Sequence, residues 1–361
     1  MSQSLAKIRN LQVLRAYAAL AVVLFHTNCT PPGIHPMGLF GVHLFFLLSG
    51  YVMASICEND TRAFVRRRLI RIIPLYWTLT LLVYLAAWKA PHLMNTTRAI
   101  PSELLKSLFF VPFLKSNGLY QPVLFVGWSV NYEMFFYMML SIALLIHKRR
   151  AAVLGSAIML CVMATCSPFA KTSAVANFYS NSILFECILG VAAYYCVRAV
   201  SRQLAPTSRP VLITMAIASL VLLPAIEGFS VLASMPMVVR FGPLCFVLIC
   251  SASLLAISGA DMGAGTLVLL GDASYVIYLV HPFIETFLNR VVGRLNPMFH
   301  IDSPIGCLIA VSFVLLISMF LYLKVDKPSV VYLNRVLCGR QRQDTVIVTT
   351  PAAVAPVGTA A

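Results

Sequence analysis

Arg15 and His26 stand eleven residues apart in LQVLRAYAALAVVLFHTN, residues 11–28, a run otherwise apolar enough to enter a bilayer. An ionisable side chain in hydrocarbon is costly and normally faces a protein interior or a wet cavity, where it has a task. Eleven helical residues rise about 16 Å and end roughly 20° past three full turns, so the two share one face. A guanidinium grips phosphate or carboxylate, and a neutral imidazole takes up protons near neutral pH. Taken singly, each also has a plainer reading: an arginine snorkelling to the interface and a core histidine bonded to backbone.

Three further stretches carry ionisable groups at helical spacing. RAFVRRRLIRIIPLYW, residues 62–77, sets Arg68 and Arg71 one turn apart. Such a pair can clamp phosphates bidentately, or it can be an ordinary cytoplasmic anchor. VGWSVNYEMFFYMML, residues 126–140, places Glu133 well inside an apolar segment. There it is either the partner of a buried arginine or histidine, or a group that transfers protons. GDASYVIYLVHPFIE, residues 271–285, carries Asp272, Ser274, Tyr275, Tyr278, His281 and Glu285. His281 falls at a depth close to that of His26, which is either a coincidence or the mark of one shared, outward-facing site. No Cys/His group has zinc-ligand spacing, so no metal site is expected.

These residues need a membrane scaffold. The chain of 361 residues is 60% hydrophobic and 11% charged, with a mean hydropathy of +0.87, whereas soluble domains carry about 25% charged residues. The reading is an all-α polytopic membrane protein with about ten transmembrane helices. Their approximate cores are 11–29, 38–57, 72–90, 123–146, 151–168, 179–197, 210–227, 240–258, 266–289 and 304–323, each near the length of a helical crossing. Pro224 and Pro243 interrupt the seventh and eighth. Between residues 91 and 122, SLFFVPFL is too short to span and is expected to lie at the interface or re-enter.

With ten spans both termini share a side. Placing them in the cytoplasm puts eighteen of the 27 Lys and Arg inside and eight outside, with Arg15 in the membrane, as the positive-inside rule prefers. The net charge of +15 therefore reports topology, and no nucleic-acid partner is expected. Lys7 and Arg9 before an apolar run imitate a signal peptide, but Arg15 within it and HTNCTPP after it fit cleavage poorly. The segment reads as a retained first helix. Most of the ten cysteines fall singly in apolar runs and read as small buried hydrophobes rather than a disulfide framework. The membrane domain is expected over 1–335, followed by a Pro/Ala-rich, disordered cytoplasmic tail over 336–361.

Together the motifs resemble the membrane-bound acyltransferase 3 family, bacterial enzymes that O-acylate cell-surface carbohydrates, and within it the exopolysaccharide and O-antigen O-acetyltransferases. Arg15 and His26 match that family's R-x10-H element. GVHLFFLLSGYVM at 41–53, RRLIRIIPLYW at 67–77, WSVNYEMFFY at 128–137 and GDASYVIYLVHPF at 271–283 follow in the family's order. One departure is His43, where the second-helix motif usually carries an acid. The chain also ends after the membrane core, without the soluble esterase-like domain that some relatives append.

The resemblance implies an inner-membrane enzyme that holds no tight cofactor. Its donor substrate would be acetyl-CoA or another acyl-CoA from the cytoplasm, and its acceptor a carbohydrate or glycolipid hydroxyl on the outer side. Arg68, Arg71 and Arg15 are then expected to hold the donor, and His26, with Arg15 and Glu133, to form the catalytic set. His281, Tyr275, Trp128 and His43 would support the site or bind the acceptor. The competing reading is a proton-coupled transporter or flippase of lipid-linked sugars with Arg15, His26 and Glu133 as its relay. No internal symmetry of the transporter kind is visible. A non-catalytic scaffold would leave the buried charges without a purpose.

Overall fold

The computed structural model describes residues 9–28, 37–59, 64–94, 96–146, 149–165, 173–203, 205–228, 232, 234–263, 265–292 and 300–338. Its helices are α1 (Arg9–Thr27), α2 (Phe40–Asn59), α3 (Phe64–Lys89), α4 (Pro101–Leu108), α5 (Gly127–Ile146), α6 (Arg150–Thr165) and α7 (Ala174–Tyr179). They continue as α8 (Leu184–Val200), α9 (Arg209–Gly228), α10 (Met237–Ile257), α11 (Gly265–Phe287), α12 (Pro304–Leu321) and α13 (Lys327–Cys338). Each of the ten apolar segments corresponds to a helix. Eight helical stretches are long and apolar enough to cross a membrane, with α7 and α8 forming one of them and α12 and α13 another.

The other two segments are α6, a shorter apolar helix of 16 residues, and α1. In α1, Arg9, Asn10, Gln12, Arg15 and His26 dilute the apolar character, and the helix packs against α2, α10, α11 and α12 rather than standing at the periphery. The proline-interrupted segments are both helices: α9 runs through Pro224 and α10 through Pro243. Neighbouring helices make such interruptions tolerable in a bundle. Gly50 and Gly190 bring α2 and α8 into backbone contact. A Cβ on either would stand 2.0 Å from a carbonyl oxygen, of Cys187 or Leu47 respectively.

The ends of the bundle are tied by polar contacts. At one end Asn10 Nδ2 donates to the Ala252 and Ala260 carbonyls at 2.9 and 3.0 Å, and Arg198 bonds Glu58. At the other end Glu227 accepts the N–H groups of Gly38 and Leu39 at 2.7 and 2.9 Å. This places a carboxylate at the positive N-terminus of α2.

SLFFVPFL forms no spanning helix, as its length predicts. It contributes the end of α4 and then an extended segment, and Leu114 bridges to Tyr120. The segment packs against the middle of α3, where Tyr76 Oη donates to the Ser107 carbonyl at 3.2 Å and Trp77 Nε1 to that of Leu108 at 2.9 Å. The last helix, by contrast, does not stop near residue 323. A π-helical turn at Tyr322–Asp326 carries it on into α13, and the tail from 339 lies outside the described residues. Cys307 corrects the uniform reading of the cysteines, because it is disulfide-bonded. Cys57, Cys187 and Cys245 are free and buried, as small hydrophobes would be.

Candidate active site

The site is built on α1 and α11, which run side by side in one register. Gly271 permits the approach, since a Cβ there would lie 1.9 Å from the Gln12 carbonyl oxygen. One turn on, Arg15 Nε donates to Ser274 Oγ at 3.2 Å. On α11, Ser274, Tyr278, His281 and Glu285 recur at spacings of four, three and four and form a single polar stripe. This stripe accompanies Arg15 and His26 up the bundle.

A cavity of about 900 Å³, its open mouth included, lies at the Arg15 end. It gathers Arg15 from α1, Arg68 and Arg71 from α3, Glu133 and Tyr137 from α5, and Ser274 and Tyr275 from α11. Val42, Phe45 and Phe46 of α2 supply apolar wall. Arg15 is within electrostatic reach of Arg71, Glu133, Tyr137 and Arg68. Three guanidinium groups line the cavity with one carboxylate, and Asp326 pairs with Arg71 from outside the lining, so the lining carries net positive charge. Tyr137 Oη donates to Glu133 Oε1, so the carboxylate is held among the arginines.

The two arginines of α3 have different surroundings. Arg71 donates through Nη1 to Asp326 Oδ2 at 2.5 Å and through Nη2 to the Asp272 carbonyl at 3.1 Å. It also lies over the Tyr275 ring at 5.5 Å, while Tyr275 Oη donates to the Ile72 carbonyl at 2.9 Å. Asp326 reaches Arg71 from the π-helical turn, a wide turn of the type that often marks functional positions. Among the described residues Arg68 has no hydrogen-bond partner, so its guanidinium is left to the cavity.

At the far end of the stripe His26 and His281 face each other with ring centroids 4.8 Å apart. His26 Nδ1 lies 2.9 Å from the Val22 carbonyl oxygen, and His281 Nδ1 lies 3.3 Å from that of Ile277. A carbonyl only accepts, so in the neutral rings both Nδ1 atoms carry the proton and both Nε2 atoms present a lone pair. His281 is wholly buried and its Nε2 has no partner among the described residues, whereas His26 keeps an exposed face. Glu285 is buried one turn beyond His281, with Oε1 unpartnered among the described residues.

Between the arginines and the histidines stands Tyr278. It lines the cavity, bonds Ser129 Oγ at 2.7 Å and donates to the Val126 carbonyl at 3.1 Å. Its ring lies 6.0 Å from that of His281. Neither histidine lines the cavity.

The structure therefore joins Arg15, Arg68, Arg71, Glu133 and Tyr275 in one place and His26 with His281 in another. His43 belongs to neither. It turns to the opposite face of α2, where its Nδ1 lies 3.0 Å from Glu186 Oε1, both side chains being buried. Trp128 stands edge-on to Tyr132 at 6.2 Å, outside the cavity lining. Asp326, Ser129 and Glu186 were not singled out from sequence. The only signal was an acid or hydroxyl within or just beyond an apolar run, and their partners lie on distant helices.

These features define a multi-pass membrane protein with a cationic cavity at one level and a histidine pair at another. The chain belongs to the acyltransferase 3 family, with residues 8–323 matching its acyltransferase domain. It is 27% identical over 316 residues to the exopolysaccharide production protein ExoZ of Rhizobium meliloti (strain 1021), covering 85% of this chain and 94% of that one. It is also 27% identical over 215 residues to the putative peptidoglycan O-acetyltransferase YrhL of Bacillus subtilis (strain 168), covering 51% of this chain and 32% of that one. No solved structure matches the chain.

Proposed function

We propose that the protein transfers an acyl group, acetyl first among them, from acyl-CoA to a hydroxyl of a cell-surface carbohydrate or its lipid-linked precursor. One observation carries this reading. The helix α1 presents an arginine, Arg15, and a histidine, His26, about 16 Å apart along one face, with Arg68 and Arg71 beside the first. Coenzyme A is a phosphate-rich head on a long thin arm, so the head suits the cavity and the arm suits the stripe.

The arginine end is assigned to the cytoplasm. Most of the basic residues cluster at that end, and positive charge is retained inside. Cys307, near the start of α12, lies toward the histidine end, and its disulfide suits an oxidising compartment.

In the proposed reaction the acceptor hydroxyl oxygen attacks the thioester carbonyl carbon while His26 Nε2 takes its proton. The tetrahedral intermediate then expels the thiolate by breaking the carbon–sulfur bond. The thiolate takes that proton back from His26 and leaves as free coenzyme A, and the ester remains on the sugar. Two imidazoles this close disfavour a second positive charge, so one proton at a time is expected on the pair. The ExoZ and YrhL names support a carbohydrate acceptor.

The test is purified protein in nanodiscs with radiolabelled acetyl-CoA, read as coenzyme A release and label in extracted glycans. Turnover that Arg68→Ala weakens through donor KM, with kcat retained, would bear the reading out. Sugar translocation with no dependence on any acyl-CoA would replace it with the transporter.

A further inference from the structure

The cavity and the histidine pair lie on one face of the same two helices, yet they are separate compartments. The cavity holds the arginines at one end, and His26 is exposed at the other. If the layer between them were absent, one polar passage would run from end to end of a membrane-spanning bundle. Tyr278 is in that layer. It sits four residues, about 6 Å, beyond the Ser274 that holds Arg15 and about 4.5 Å before His281.

Its ring is braced on both sides, 6.1 Å from Phe45 and 6.0 Å from His281. Its hydroxyl is latched to α5 twice, at Ser129 Oγ and at the Val126 carbonyl. That carbonyl, just before α5 begins at Gly127, also accepts from Ser129 Oγ at 3.2 Å, so the three groups form one small cluster. A core tyrosine with no further role would be expected against apolar neighbours with one partner for its hydroxyl. This one is part of a cavity wall, and the latch is made by two helices of the same site.

We propose that Tyr278, latched to Ser129 and Val126, is the gate of a transmembrane passage: it seals the donor cavity from the histidine pair and yields to the acyl-bearing arm of the donor. The gate rests on the reading of the site as an acyl-CoA enzyme only for what opens it; the seal itself does not depend on that reading. Rotating the ring out exchanges two hydrogen bonds for contact with the arm. Water, which cannot displace it, is kept from the thioester until the acceptor is in place.

The experiment uses the full chain in proteoliposomes holding a pH-sensitive dye, with an imposed proton gradient and no substrate. Wild type is expected to hold the gradient. Tyr278→Ala should dissipate it at least tenfold faster, and Tyr278→Phe, which keeps the ring and loses the latch, should fall between them. Millimolar acetyl-CoA on the cavity side should slow the Tyr278→Ala leak, because the arm refills the passage. Ser129→Ala, which removes one of the two bonds, should fall between wild type and Tyr278→Phe, which separates the latch from any general damage to α11.

Equal gradient decay in all four proteins would overturn the gate, and so would an equal leak in wild type. A leak in Tyr278→Ala that acetyl-CoA, butyryl-CoA and free coenzyme A all leave unchanged would keep the seal but overturn the donor as its opener. That last result would count against the acyltransferase reading rather than against the passage.

Discussion

Arg71 Nη1 and Asp326 Oδ2 meet at 2.5 Å, although one residue lies near the start of α3 and the other in a π-helical turn after α12. Asp326 is almost completely buried, and Arg71 shows about a quarter of its side chain. Removing one partner from such a pair strands the other charge, at a cost of about 3 kcal/mol. Asp326→Asn should therefore lower the thermal midpoint by several degrees in nanodiscs. A double-mutant cycle with Arg71→Gln should return a coupling above about 1 kcal/mol. Additive effects of the two changes would show that the pair contributes nothing to stability.

Arg68 and Arg71 should separate in their kinetics as they do in their contacts. Arg68→Ala should raise donor KM at least tenfold at an unchanged thermal midpoint, since its guanidinium faces the cavity. Arg71→Ala should change KM and stability together. Identical behaviour of the two variants would refute the division.

His26→Ala removes the proposed base, and general-base catalysis supplies about 10²- to 10⁴-fold. Coenzyme A release coupled to acceptor should fall by that factor, while acetyl-CoA binding by equilibrium dialysis stays within threefold. His281→Ala should cost less, about tenfold, because its Nε2 is buried behind His26. Ordinary turnover in His26→Ala would remove it from the chemistry.

His43 and Glu186 tie α2 to α8 through buried groups. His43→Ala should lower the thermal midpoint while the protein that remains folded keeps its kcat and both KM values within about threefold. A tenfold change in acceptor KM at an unchanged midpoint would return His43 to the acceptor site.

Lys115 gives a pH test outside the membrane-spanning helices. It is 4% exposed and donates to Thr97 Oγ1 at 3.0 Å, and burial pushes its pKa down to about 8. The ordinary value is about 10.4, so between pH 8 and 10 the unfolded chain binds more protons than the folded one. Stability from this group therefore rises with pH through that window and is flat below it. The wild-type midpoint should climb from pH 8 to pH 10 relative to Lys115→Met, and Lys115→Met should be the more stable of the two at pH 7. Parallel pH profiles would show that Lys115 is not desolvated in solution.

The sequence alone determined the helices and which residues share a helical face, because both follow from local quantities. Twenty apolar residues specify a crossing, and an eleven-residue interval puts Arg15 and His26 on one stripe. It could also expose Glu133 and His281 as anomalies, since an ionisable group in an apolar run is visible without a fold. Pairing was different. Arg71 with Asp326, His43 with Glu186 and Tyr278 with Ser129 each join distant helices, and no periodicity within one helix says which neighbour it will face.

His43 shows the consequence. Its motif pointed to the site, but its angular position on α2 lies opposite the cavity-lining residues, and only the docking of α8 supplied its acid. The end of the last helix shows the same limit from the other direction. Hydropathy stops near residue 323, while the chain continues through the π-helical turn, where Asp326 meets Arg71, into α13. Local physics drew the elements, and the packing of one helix on another decided which charges became partners and which were left to meet a substrate.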